Sequence, residues 1–160
     1  MNLTEEKAKE IYSVVPESFK KELEEVFGKE TFFPDELDKL SSYEVALELA
    51  NRPDAKTINE IPEDLHNYIL KEYKCIVLNE AANTLLGGQK QMDIYNQNIK
   101  RYLPYFLTNG SPSGFRFLDS YCDYSNANAG SGSRLSAISA KAAKHLGTLF
   151  TKEFREMLEA

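Results

Sequence analysis

The sequence predicts an α+β protein on three observations. Apolar residues recur at three- and four-residue steps through the first half; short aromatic runs broken by proline and glycine follow Gly87-Gly88; helical spacing returns after Ser139. The expected architecture is a helical N-terminal half, a long central helix, and a small three-stranded antiparallel sheet packed by a C-terminal helix. With 160 residues, 42% hydrophobic and 28% charged, the chain has the length and composition of one folded domain, 1–160. Residues 1–60 form its helical subregion, and 61–160 carry the long helix, the sheet and the closing helix.

Taken in order, Thr4 caps a first helix with Glu5 and Glu6 in its first turn, and this helix must end near Pro16. Pro16 suits the start of a second helix with Phe19, Leu23, Val26 and Phe27 on one side, closed by Gly28. A short helical segment at 35–40 leads to a capping box, Ser41-Ser-Tyr-Glu44, whose helix runs to Ala50 and stops at Asn51-Arg-Pro-Asp54. Pro62 opens the longest helix, 63–86, about 36 Å at 1.5 Å per residue, and Gly87-Gly88 ends it. Tyr102-Leu-Pro-Tyr-Phe-Leu107 reads as an edge strand, because proline cannot donate to a central ladder. Asn109-Gly110-Ser111-Pro112 is a turn, Phe115-Arg-Phe-Leu118 alternates as a second strand, and 133–138 reads as a third. A last helix, 139–158, carries Ala142, Ala143, Leu146, Leu149, Phe150, Phe154 and Leu158 on one side.

A formal net charge of −6 repels phosphate backbones and anionic head groups, which argues against nucleic-acid and membrane partners. Lys141, Lys144, Lys152 and Arg155 alternate with Glu153, Glu156 and Glu159 and read as a mixed solvated face. The polar, acidic start and the lack of a long apolar stretch predict a cytoplasmic protein. Cys75 and Cys122, far apart and in different kinds of element, read as free thiols.

The order Tyr102-x-Pro104-Tyr-Phe106, Ser113-Gly-Phe-x-Phe117, a Ser/Tyr/Asn/Asp-rich segment, Gly132-Ser-Arg-Leu135 and a closing amphipathic helix resembles an uncharacterised family of small proteins carried by phages and prophages of gut Bacteroidetes. The resemblance covers residues 61–158, and Asp93-Ile-Tyr-Asn96 resembles the Asp-Trp-x-Asn found there. Family members follow Gly-Ser-Arg-Leu with Cys-Phe-Lys-Ser, where this chain has Ser136-Ala-Ile-Ser139 and so a less apolar third strand. The resemblance brings no activity with it. It implies a viral or mobile-element origin, where virion parts and proteins acting on the host outnumber metabolic enzymes.

No motif fixes a chemistry. His66 and His145 stand on different helices without a second ligand at metal spacing, so no metal and no cofactor is expected. Cys122 could serve as a nucleophile beside Arg116 or Arg134 but has no identifiable base, and a bystander thiol is the better reading. Asp119 and Asp123 read as turn residues rather than a carboxylate pair for hydrolysis or metal binding. Gly130-Ser-Gly-Ser-Arg134 could grip an anion through converging N–H groups and a guanidinium fork, against the plainer reading of a hairpin connection with a structural arginine. The tyrosines, asparagines and serines of 121–128 have the composition of a recognition loop, with solvation of a sheet edge as the alternative.

The expectation is a non-enzymatic, phage-encoded binding protein, with contacts from Tyr102, Tyr105, Arg116, Tyr121, Tyr124, Asn126, Asn128 and Arg134. Its partner would be a host or phage protein, or a small anionic ligand sequestered from the host; a homo-oligomer is compatible with either. The second class is a minor virion or assembly component making the same contacts between subunits. An enzyme of unrecognised type comes third.

Overall fold

A computed structural model of the chain describes residues 3–33, 35–55, 62–87, 90, 93, 95, 96, 98–123 and 133–160. The chain divides into two compact units, Met1–Asp38 and Lys39–Ala160.

In the first unit, the Thr4 hydroxyl accepts the Lys7 N–H at 3.5 Å to open helix α1 (Glu5–Tyr12). Pro16 precedes α2 (Glu17–Phe27), and Gly28, at φ 84°, turns the chain into the single-turn α3 (Lys29–Phe32). Tyr12 joins these pieces. Its ring stacks on Phe32 at 4.3 Å and meets Phe33 edge-on at 5.5 Å, while its hydroxyl donates to Glu24. That hydrogen bond is the main cause that raises the Tyr12 hydroxyl to about 12.

The second unit carries everything that positions the candidate sites. Ser42 caps α4 (Tyr43–Ala50) by accepting the Val45 N–H at 3.3 Å, one residue later than the expected box. Asn51, left-handed at φ 48°, closes it, and the Arg52 N–H returns to the Leu47 carbonyl at 2.9 Å. Helix α5 (Glu63–Leu85) follows Pro62, and its 23 residues span about 34 Å. It packs along α4 and is buried all round from Val77 to Asn83. Gly87, at φ 73°, lies where the expected stop falls.

Strands β1 (Arg101–Leu107) and β2 (Arg116–Asp123) pair antiparallel, from Arg101 opposite Asp123 to Leu107 opposite Arg116. Asn109 and Gly110, at φ 49° and 70°, form the mirror-image turn that their Asn-Gly pairing predicts, closed by Ser111 N–H to the Thr108 carbonyl at 3.1 Å. The register slips by one residue between Tyr105 and Phe106, leaving Leu118 as a bulge on β2.

The expected third strand at 133–138 does not form: Ser133–Leu135 is a 3₁₀ turn, and only Ala137 bonds to β1, exchanging N–H and carbonyl with Tyr102 at 3.0 and 2.8 Å. Asn83 of α5 holds the other side of this segment. Its Nδ2 donates to the Ser136 carbonyl at 3.2 Å, and its Oδ1 accepts the Ile138 N–H at 2.9 Å. By alternation these two groups point away from β1, so Asn83 satisfies the far side of the segment, and the 3₁₀ turn just before it limits the pairing with β1 to Ala137.

The closing helix is also corrected. It is two helices, α6 (Ala140–Leu149) and α7 (Thr151–Leu158), broken at Phe150, whose φ and ψ are −111° and 31°. The Thr151 hydroxyl donates to the Gly147 carbonyl at 2.6 Å and competes there with the helical N–H. Ser139, expected as the first helical residue, is the cap of α6, accepting the Ala142 N–H at 3.1 Å. Among the described residues no helix is long and apolar enough to cross a membrane.

Candidate functional site: the free edge of β1 and a buried carboxylate

Period-two alternation sorts the ladder into two faces. Pro104, Phe106 and Phe117 share one face, and α6 packs on it so closely that a Cβ on Gly147 would overlap the Phe117 ring and come within 3.1 Å of Pro104 Cβ. Phe106 is surrounded there by Phe115, Phe117 and Phe154, with ring centroids at 5.0, 6.0 and 5.6 Å. The opposite face carries Leu103, Tyr105, Asp119 and Tyr121.

Tyr105 and Tyr121 are diagonal neighbours on that face, with ring centroids 6.4 Å apart, and are 58% and 60% exposed. Two aromatic rings left this open across a strand pair are an unspent contact surface.

Beside them runs a groove. Because Tyr102 points its N–H and carbonyl at Ala137, alternation turns the backbone of Pro104 and Phe106 to the same edge, away from β2. Among the described residues no strand pairs there beyond Ala137. Pro104 therefore sits where its missing N–H costs no ladder bond, as the sequence predicts for an edge strand. One cleft of about 280 Å³ lies against this edge, walled by Leu103, Tyr121, Leu135, Phe154 and Met157. A second, of about 600 Å³, continues past Thr108, Ser111 and Phe115. Pro104, Tyr105, Phe106 and Leu158 line both. The lining is apolar, with a few hydroxyls and Glu159 at the rim, which suits capture of an apolar side chain more than bond making.

The expected contact residues are only partly brought together. Tyr105 and Tyr121 meet; Tyr102 falls on the other face; Arg116 sits at the far end of β2 opposite Leu107. Tyr121 is a strand residue rather than part of a loop tip, because β2 runs on to Asp123. Tyr124, Asn126, Asn128 and the Gly130-Ser-Gly part of the anion motif lie outside the described residues.

Arg134 turns to a carboxylate. Its Nη1 lies 3.6 Å from Oε1 of Glu80, which is 2% exposed within α5. Arg52 holds both oxygens of the same carboxylate, Nε to Oε2 at 2.8 Å and Nη2 to Oε1 at 2.9 Å. That fork raises the Arg52 guanidinium further above its usual value. Glu80, Asn83 and Arg52 escaped the sequence reading. Their signal was present: polar Asn79, Glu80 and Asn83 interrupt the apolar run of a helix buried all round, where polar side chains need partners.

The remaining candidates are engaged structurally. Asp119 pairs with Lys144 at 2.9 Å and accepts the Ser120 N–H, which together hold its carboxyl below the usual range. The Asp123 side chain is outside the described residues. His145 donates from Nε2 to the Leu40 carbonyl at 3.0 Å, since a carbonyl can only accept, which fixes its tautomer when neutral. Cys75 and Cys122 are free; burial pushes the Cys75 thiol up to about 12. Among the described residues no group of three or more His, Cys, Asp or Glu side chains could hold a metal ion.

Comparison with protein-family models, with curated proteins and with solved structures gave no match.

Proposed function

We propose that the chain is a non-enzymatic binding protein that docks a protein partner on the Tyr105–Tyr121 face and the groove along β1. One observation carries this reading: two exposed tyrosines stand on a strand pair directly beside an apolar groove and a strand edge that, among the described residues, no strand pairs beyond Ala137. Tyrosine brings contact area at low entropic cost, and an open edge offers backbone hydrogen bonds to an extended segment of a partner. The chemistry is that of recognition. Asp119 and His145 are engaged in structural contacts, and Cys122, the candidate nucleophile, is a half-buried free thiol.

Origin in a phage or prophage rests on the resemblance of residues 61–158, and action on a host protein follows from that origin. The alternative, a minor virion or assembly protein, draws support from the same unpaired edge, because open strand edges also pair copies of one chain.

Affinity capture from the native host, with wild-type protein and a Tyr105→Ser/Tyr121→Ser variant of unchanged circular dichroism, tests the reading. A defined partner should be retained by wild-type and lost from the variant. Equal capture by both proteins would place the contact elsewhere. Recovery of the chain with purified particles would favour the assembly role.

A further inference from the structure

The arginines on Glu80 form a second site. One carboxylate is satisfied in charge and geometry by one guanidinium, and Arg52 already takes both Glu80 oxygens. Arg134 is therefore a second positive charge on a neutralised pair. At 3.6 Å from Oε1 it is beyond good hydrogen-bonding distance, so its fork is not used up there. Among the described residues Glu80 is its only ion-pair partner.

Both heads are anchored yet open. Arg52 follows the left-handed cap of α4, and the Tyr73 hydroxyl fixes the adjoining Pro53 carbonyl at 2.7 Å. Arg134 lies in the turn whose following residues Asn83 clamps. The side chains of Arg52 and Arg134 are 39% and 50% exposed, while the Glu80 between them is buried. Lys90 donates to the Ala50 carbonyl and brings another positive charge to this end of α4. Asp54 acts on Tyr43 and Tyr73. Two guanidinium groups on one carboxylate leave one positive charge at this point, in a chain of net charge −6.

We infer that Arg52 and Arg134, oriented by the buried carboxylate of Glu80, bind one phosphate group of a small molecule. A phosphate presents more acceptor oxygens and more charge than a carboxylate and so can engage two forks at once. The negative field of the whole chain disfavours a polyanion and leaves a small ligand as the occupant. This site is independent of the Tyr105–Tyr121 face.

Calorimetric titration with inorganic phosphate and with adenosine monophosphate, at constant ionic strength set by chloride, tests the inference. Wild-type should bind saturably, and Arg134→Gln should weaken binding about tenfold, the loss of one charge-assisted contact. Lys152→Gln, a change at an exposed cation, and Tyr105→Ser/Tyr121→Ser should leave binding unchanged. Tighter binding of the nucleotide would identify a phosphate ester as ligand, and equal binding the free anion. In wild-type, phosphate should shift the Nε–H resonances of Arg52 and Arg134, a readout that holds even if a variant fails to fold. No saturable binding, unmoved arginine resonances, or an equal loss in Lys152→Gln would overturn the site.

Discussion

Glu80 has its carboxylate out of water in the middle of α5, and Arg52 is what makes that tolerable. Arg52→Ala should therefore destabilise the protein by about 2 to 3 kcal/mol in urea unfolding, below the fully buried case because Arg52 is 39% exposed. Glu80→Gln, which removes the buried charge, should cost less. Cys75 is the other residue whose setting makes a prediction. Burial raises its thiol from an ordinary value of 9.0 to about 12. The native state thus holds this proton after the unfolded chain has lost it. The stabilisation is complete below pH 9 and is lost as pH rises toward 12. Tyr43, raised from 10.0 to about 12 by burial and by Asp54, adds a second loss that begins higher. Urea midpoints should fall from pH 9 upward, and Cys75→Ala should reduce the slope from 9 to 12, most cleanly between 9 and 10, before Tyr43 and Tyr12 begin to contribute. An unchanged slope in that variant would remove Cys75 as the cause. At this scale the sequence showed residue types without their partners. Arg134 was legible as a cation worth attention, but Glu80, fifty-four positions earlier, was hidden until α5 proved buried all round.

Caps and stops are local, and they were the most legible features of the elements. Thr4, Gly28 and Gly87 stand where the sequence places them, and Ser42 is one residue from its expected position. The expected third strand fails because Ser133–Leu135 turns as a 3₁₀ helix and leaves only Ala137 to bridge to β1, while the far side of the segment is held by the Asn83 side chain, a partner no local pattern can announce. The break at Phe150 likewise depends on a hydroxyl bond from Thr151 to Gly147. Gly147 offers the sharpest test of how α6 meets the sheet. Alanine there gains up to about 1 kcal/mol in helix propensity, but its Cβ would enter the Phe117 ring, and overpacking of that kind costs about 1 to 3 kcal/mol. Gly147→Ala should lower the melting temperature, and Gly147→Ala/Phe117→Leu should recover part of the loss. If the single variant is as stable as wild-type, α6 does not seat on Phe117 as described.

For the molecule as a whole, the α+β class was legible because helical and strand periods differ so plainly on either side of Gly87-Gly88. The binding surface was half legible. Tyr105 could be named as a strand aromatic, but Tyr121 read as part of a loop until β2 proved to run on to Asp123; their meeting on one face depends on register, and the groove beside them depends on where α7 ends. Ser139→Ala, which removes the cap of α6 at a cost of about 1 kcal/mol, should lower stability while leaving partner binding intact, because the groove residues stay in place. The central claim, that the Tyr105–Tyr121 face is where a protein docks, is tested most directly by photo-crosslinking in the native cell. A benzophenone side chain would replace Tyr105, Tyr121 or, as a control, the exposed Lys152. The account predicts one discrete adduct of the same mass from Tyr105 and Tyr121 and none from Lys152; no adduct from either tyrosine position, or the same adduct from all three, would contradict it.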